Sequence, residues 1–443
     1  MLKTKKWLIT VLIAAGAVLL LAALAAAFFF VIHTRRDGVL YCYTRDGYVI
    51  CDYNGDEAEL ALPDAINKKP ITGIENGAFE GNEALQSVVL PADLLYIGDS
   101  AFANCSALTT VSFPDSLENI GKSAFFECGA LAEVSLGDSV KKIEKYAFFA
   151  CASLETLSLG ESVEQIDELA FYGCSSLTEI VVPNSVVRLG GGVFSACRKL
   201  SAITIPFVGE CECETEYTYL GYLFGALDVR ENGNFVPLSL RNVTVTNTET
   251  IRISAFFNCS NIASITLPDT LTSIEDSAFS GCSSLTSIEL GESLSHIGET
   301  AFYGCAKLTS IAIPEGVTRI ERATFKACSS LVEVILSSKT VSLGDFAFEN
   351  CVALEGIQLS EKLENIGSNA FQGCTALSSI YIPASVNRIG TYAFLNTGLR
   401  TATFGEKEGW RLSGEASTLS LKSAWSNGRM LRDSCSAYAW KRG

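Results

Sequence analysis

Eleven cysteines recur at a strict 23-residue spacing, at Cys105, Cys128, Cys151, Cys174 and Cys197 and again at Cys259, Cys282, Cys305, Cys328, Cys351 and Cys374. A Phe stands three residues before each, from Phe102 to Phe194 and from Phe256 to Phe371, and the Phe register extends one unit further at Phe79 and Phe394. A period this short means one supersecondary unit copied thirteen times. Such a unit cannot bury its apolar face alone, so neighbouring copies must stack and share one core.

Superposing the copies gives a frame whose apolar positions are illustrated by Ala278, Phe279, Cys282, Leu285, Ile288, Leu290, Leu294 and Ile297. The Leu-x-x-Ile-x-Leu stretch ends on period-2 alternation, as in a short half-buried strand. A Pro or Gly such as Pro268 or Gly291 follows and ends that strand. A second short apolar pair, Leu294 with Ile297, precedes Ala-Phe-x-x-Cys, which fits a single helical or 3-10 turn. The expected fold is a repeat solenoid of 23-residue coils. One long parallel sheet lies on one side, with short turns and short strands on the other. With parallel rungs about 4.8 Å apart, it offers an extended surface rather than a pocket.

The motif Ile274-(x)3-Ala278-Phe279-(x)2-Cys282-(x)2-Leu285-(x)2-Ile288-x-Leu290 resembles the BspA-like leucine-rich repeats of bacterial and protozoan surface proteins, over residues 57 to about 404. The resemblance implies a surface-exposed solenoid tied to adhesion or protein binding, with no shared catalytic residues.

The register breaks once, because Cys197 and Cys259 are 62 residues apart. Leu240, Val243 and Val245 fit the strand template, so the gap hides one further rung plus an insertion of 17 residues between Pro206 and Pro237. The insertion holds Cys211 and Cys213 and a concentration of aromatics, Tyr217, Tyr219, Tyr222 and Phe224. Inserted loops in solenoids often mark the binding face. These four residues are therefore candidate partner contacts; the alternative is a flap whose aromatics pack on the adjacent coil.

Lys3, Lys5 and Lys6 precede an unbroken apolar run from Trp7 to Ile32, which ends at His33, Thr34, Arg35 and Arg36. As a helix it reaches about 39 Å, longer than a secretory h-region and enough to span a bilayer. A retained signal-anchor fits better than cleavage after Ala25 to Ala27, which would leave Phe28-Phe29-Phe30 at the mature N-terminus. Three lysines before against two arginines after favour an outside C-terminus. The expected domains are a cytoplasmic basic tail (1–6), a transmembrane signal-anchor (7–32), an N-terminal hairpin cap (37–77), repeat blocks (78–206 and 240–404) separated by an inserted flap (207–239), and a C-terminal cap (405–443).

Beyond residue 36 the chain carries 28 basic against 49 acidic residues, a net charge near −21. That field opposes phosphate backbones and excludes nucleic acid as a natural partner. It either favours cationic partners or keeps a long solenoid soluble. The C-terminal stretch differs: from Arg400 onward eight basic residues face four acidic ones, among Trp410, Trp425, Tyr438 and Trp440.

Sixteen cysteines in an exported chain would ordinarily imply a disulfide framework. The eleven in frame lie among Ala, Phe and Leu, and read instead as free thiols acting as small buried hydrophobes. Cys42 and Cys51 flank an Asp46-Gly47 hairpin signal, and pairing Arg45 with Tyr48 sets the two cysteines opposite each other in a disulfide-compatible, non-hydrogen-bonded pair. Cys211, Cys213 and Cys435 have no assigned role.

Catalytic groups are not apparent. The two histidines, His33 and His296, have no credible nucleophile partner, and Cys211-x-Cys213 falls short of a zinc site. No enzyme, cofactor or metal is expected. Outward strand positions such as Thr156, Ser158, Ser264 and Thr266 carry small hydroxyls, and only Tyr381 adds an aromatic there. The favoured function is a single-pass, membrane-anchored cell-surface protein whose extracellular solenoid mediates protein binding or adhesion. The alternative is a carbohydrate- or envelope-binding structural protein, which should show aromatics repeated at rung spacing.

Overall fold

The computed structural model describes residues 33–212, 216–413, 421, 423–434 and 436–442. The chain winds into a solenoid of about 15 coils at 23-residue spacing. One coil shows the logic. In the strand Thr156–Ser158, Leu157 points inward while its hydroxyl neighbours are exposed. The chain turns at Gly160 and makes the two-residue strand Gln165–Ile166, with Ile166 inward. It then passes through Ala170, Phe171 and Cys174, all fully buried, before the next rung. Parallel pairing joins Glu133 to Thr156 and Lys142 to Gln165, so each rung meets its own equivalent one period away.

Two expectations change. The long sheet is built from the two-residue strands, which run unbroken from Tyr96–Ile97 to Arg188–Leu189 and continue into the N-terminal strands. The three-residue strands fall instead into several separate two- to four-stranded sheets. Parallel neighbours twist relative to one another, and the twist carries the ends of a three-residue rung further out of line with its neighbour than those of a two-residue rung. The Ala-Phe-x-x-Cys segment is not a helical turn but a third axial ladder. Its alternate N–H groups reach the next coil, as in Ser100 to Lys122 O (2.8 Å), Phe102 to Ala124 O (2.7 Å) and Asn104 to Phe126 O (2.7 Å). The intervening N–H groups close turns onto their own coil, as in Ala103 to Ser100 O (3.0 Å). This alternation needs left-handed residues twice per coil: Ser100 (φ 55°) and Asn104 (φ 61°), then Ser123 and Glu127, and so on along the molecule.

The Phe rings form two stacks, Phe79 to Phe194 and Phe256 to Phe394, with neighbouring centroids 4.7 to 6.1 Å apart and planes within 14°. The eleven frame cysteines are free and buried. Ten of them donate to the Phe carbonyl of the preceding coil, such as Cys105 to Phe79 O at 3.1 Å and Cys305 to Phe279 O at 3.3 Å. Cys259 differs because the insertion precedes it, and its thiol faces Phe257 O at 3.9 Å. Burial pushes Cys105 up to about 11 and Cys197 and Cys374 up to about 12, and raises the other thiols as well.

At the N-terminal end, His33–Arg36, Val39–Tyr43 and Tyr48–Tyr53 form an antiparallel meander. Its last strand runs parallel to Lys69–Ile74 and so joins the solenoid. Cys42 and Cys51 are disulfide-bonded with Cα atoms 6.1 Å apart, but not as a facing pair. The turn takes four residues, with Thr44 N–H donating to Gly47 O at 2.7 Å, so Tyr43 pairs with Tyr48 and Cys42 with Val49. A bulge between Leu40 and Tyr41 then leaves Cys51 without a facing partner. At the other end, Trp410–Leu412 and Trp440–Arg442 pair antiparallel, and the latter pairs with Arg388–Ile389. Trp410 and Trp440 are buried against Phe404 and close the core. The apolar run from Trp7 to Ile32 lies outside the described residues. Among the described residues no helix is long and apolar enough to cross a membrane.

Phe302 stacks on Phe279 and Phe325 at 5.1 and 5.4 Å and is fully buried. Phe302→Ala is expected to destabilise by about 3–5 kcal/mol, read as a lowered urea midpoint by circular dichroism. Alkali should act through the thiols. An unfolded thiol ionises near its ordinary value of 9.0 while the buried one keeps its proton to about 11 or beyond. Stability is then level below that ordinary value and falls as pH rises through the window. The slope is about 1.4 kcal/mol per pH unit for each thiol, so replacing successive cysteines by alanine should flatten the decline of the urea midpoint stepwise.

Candidate functional site

The insertion is not a flap laid over the solenoid. It is one enlarged coil. On the three-residue edge the rung Asn242–Val245 pairs with both Ala202–Ile205 and Ser264–Thr266, so that edge passes the insertion unbroken. On the turn edge the 3-10 helix Leu220–Phe224 takes the place of Ala-Phe-x-x-Cys. Gly192 and Phe194 N–H donate to Tyr222 O (2.8 Å) and Leu223 O (2.9 Å), and Leu220 N–H donates forward to Ala255 O (2.9 Å). The buried Asn232, in the short helix Asn232–Phe235, bridges the same junction. Its Nδ2 donates to Ser254 O and Ala255 O, and its Oδ1 accepts from Gly221 N–H at 2.6 Å. Leu220, Leu223 and Phe224 are core residues and continue the column that the Phe stack vacates.

A groove of about 560 Å³ opens where this coil meets its predecessors. Three glycines, Gly190, Gly191 and Gly192, form its floor, Tyr217, Tyr222 and Leu227 one wall, and Leu169 and Arg188 the other. A Cβ on Gly190 would stand 2.1 Å from Glu168 N, and Gly192 has φ +66° with Leu169 Cδ2 2.8 Å from its missing Cβ; a Cβ on Gly191 would press on the Tyr222 ring at 3.1 Å. Tyr217 and Tyr222 stack with centroids 4.9 Å apart. Burial, and then the Glu210 charge, raises the Tyr222 hydroxyl above its ordinary value. The charges around the groove are paired, Lys145 with Glu168 at 2.7 Å and Arg188 with Glu210 at 2.8 Å. Leu227 is 83 % exposed, and Phe235 and Leu238 on the same coil are 43 % and 77 % exposed.

Of the four aromatic candidates, Tyr217 and Tyr222 are brought together at the groove, whereas Tyr219 and Phe224 are buried and available to no partner. Tyr219 donates to Ala226 O at 3.2 Å, and burial pushes its hydroxyl up to about 12. Cys211 is disulfide-bonded; Cys213 and Cys435 lie outside the described residues. Sequence reasoning missed the glycine floor, whose signal is the loss of side chains at consecutive frame positions. It also missed a ladder of half-buried aromatics at rung spacing on the turn face, Phe126, Phe149 and Tyr172, stacked at 4.9 and 4.5 Å. Among the described residues no cluster could hold a metal ion.

Residues 69–207, 231–322 and 295–408 match the BspA type leucine rich repeat region. The chain belongs to this family. It is similar to a leucine-rich repeat protein from Bacteroides ovatus, with 26% identity, coverage of 82% of this chain and 92% of that one, and a TM-score of 0.48. A leucine rich cell surface protein from Faecalibacterium prausnitzii is 24% identical over 85% of this chain and 95% of its own, with a TM-score of 0.36. The pneumococcal vaccine antigen PcpA is 18% identical over 81% and 93%, with a TM-score of 0.37. No curated protein matches. Membership confirms the leucine-rich repeat frame, and the enlarged coil stands as a departure from that frame within a BspA-type array.

Gly192→Ala places a Cβ against Leu169 at positive φ and is expected to destabilise by about 1–2 kcal/mol. Gly129→Ala, where nothing lies within 4 Å, should stay within about 0.5 kcal/mol. Paired thermal melts check both.

Proposed function

We propose that this BspA-type chain is a non-catalytic, membrane-anchored surface protein whose outward-facing solenoid binds other proteins. The observation that carries this reading is the enlarged coil. It commits Leu220, Leu223 and Phe224 to the core yet leaves Leu227, Phe235 and Leu238 exposed beside an open groove. Exposed large apolar side chains gathered on one segment, with polar surface around them, mark interaction surfaces. Anchoring rests on the apolar run from Trp7 to Ile32 and its flanking charges.

The carbohydrate reading has one observation in its favour, the aromatics at rung spacing on the turn face. Sugars stack on ring faces, however, and in Phe126, Phe149 and Tyr172 the faces are turned against one another, leaving mainly edges to solvent. Tyr217 and Tyr222 likewise cover each other. Ring edges and aliphatic tips suit protein side chains better than pyranose rings.

The test is binding of residues 33–443, which keep the strand His33–Arg36, to panels of matrix proteins and polysaccharides at two salt concentrations. Deleting the insertion would remove core residues, so the variants are Leu227→Asp and Tyr217→Ala, both at solvent-exposed positions. Saturable binding to a protein, weakened about tenfold or more by either variant, is the expected outcome. Binding to polysaccharide alone would move the assignment to the envelope-binding alternative, and protein binding indifferent to both variants would remove the enlarged coil as its site.

A further inference from the structure

Along the three-residue edge the rungs pair with at least one neighbour, with one exception. Residues 355–359 make no backbone hydrogen bond to the rung before them, Glu333–Ile335, or to the rung after, Ser379–Ile382. Both of those pair outward instead, with Ser310–Ala312 and Thr401–Phe404. Side chains do not take up the free groups either, among the described residues. A run of adjacent backbone N–H and C=O groups is therefore left open between two paired rungs. Residues 355, 356 and 358 are exposed, so water meets such groups in the free chain, and an unpaired strand is a template for another chain.

The sequence marks the same rung. Gly356 stands where neighbouring coils carry Ser310, Glu333 and Ser379. A Cβ built on it would meet nothing within 4 Å, so crowding does not require the glycine. A glycine inside a strand often marks close approach by another backbone. Between this rung and its predecessor lies a cleft of about 500 Å³, with half-buried Leu336 and Ile357 on its floor. Glu315, Glu333 and Glu361 line it, and no Lys or Arg does. Ser338 donates its N–H and hydroxyl to Glu315 at 2.9 and 2.8 Å, which holds that carboxyl below its ordinary value, with help from Lys339 on the adjoining turn. Glu333 and Glu361 have no ion-pair partner among the described residues. Ile335, 56 % exposed, also lines the cleft.

We propose that the cleft at Gly356 is a strand-addition site, and that its occupant is an extended lysine- or arginine-rich segment of a partner protein. This rests on the protein-binding reading above and adds a second contact on another face. The occupant's main chain pairs with the open groups of 355–359. One set of its alternating side chains meets Leu336 and Ile357, and the other lies beside Ile335 and brings cations to Glu333 and Glu361.

The test uses the full chain in detergent and an acetylated, amidated heptapeptide of alternating lysine and valine. In the free protein the amides of 355–359 should exchange with deuterium much faster than those of Ser310–Ala312, and the peptide should slow them. Fluorescence anisotropy should show saturable binding, weakened at least tenfold by N-methylation of alternate peptide amides, by Glu333→Lys with Glu361→Lys, and by Gly356→Thr. Melting curves check that the variants remain folded. Slow exchange at 355–359 in the free chain overturns the proposal. So does peptide binding that ignores N-methylation, which is charge adsorption only. If the peptide fails while a protein ligand still responds to Leu227→Asp, strand addition falls and the broader function stands; loss of all protein binding removes both.

Discussion

Bonds between equivalent atoms one period apart hold this molecule together. A 23-residue coil has too little apolar surface to fold alone, so its ladders must run along the solenoid axis. Three of them do: the two-residue strands, the three-residue strands, and the alternating left-handed turns at Ala-Phe-x-x-Cys. Inside, Phe rings lie on one another within each of the two stacks, and ten of the eleven frame thiols donate to a Phe carbonyl of the coil before them. Cysteine suits that site because it is small enough to stack, and its weak S–H donor adds a second bond to a carbonyl that already accepts the backbone N–H three residues on.

Because every coil depends on its neighbours, the places where the axial register is disturbed are the places where surface becomes available. The enlarged coil keeps the three-residue edge intact through Asn242–Val245 while rebuilding the other two edges with Glu210 and with Leu220–Phe224. The mismatch between a rebuilt edge and a regular one opens the groove over Gly190 to Gly192. The rung at Gly356 is the opposite case: its length is regular but its ladder bonds are missing, and a cleft opens beside it. Surface ion pairs such as Lys145 with Glu168 decorate these edges but add little to stability.

Much of the fold was legible because the repeat states its own period. Phe, Cys and Leu at fixed positions identified the core, and the hidden rung at Leu240, Val243 and Val245 followed from counting alone. The turn ladder was missed, although Gly81, Asn104, Gly173, Asn258, Gly281 and Asn350 stand at the same position before the next Cys or within its turn, where the backbone is left-handed and such residues are favoured. The disulfide between Cys42 and Cys51 was legible as a pair but not in its register, because a four-residue turn and a bulge cannot be told from a two-residue turn by an Asp-Gly signal alone. At the groove, Tyr217 and Tyr222 were in view from aromatic density, but nothing local separates them from Tyr219 and Phe224. Burial there is set by neighbouring coils.

The sequence by itself determined the period, the inward face, the stacking order of the coils and the location of the one insertion. Each of these follows from side-chain character at fixed spacing. Only the tertiary structure decided that the insertion is a coil rather than a flap, that the longest sheet lies on the two-residue edge, and that the rung at Gly356 stays unpaired. Those outcomes depend on twist accumulated between neighbours and on which backbone groups of successive coils come within bonding distance, quantities that no single repeat encodes.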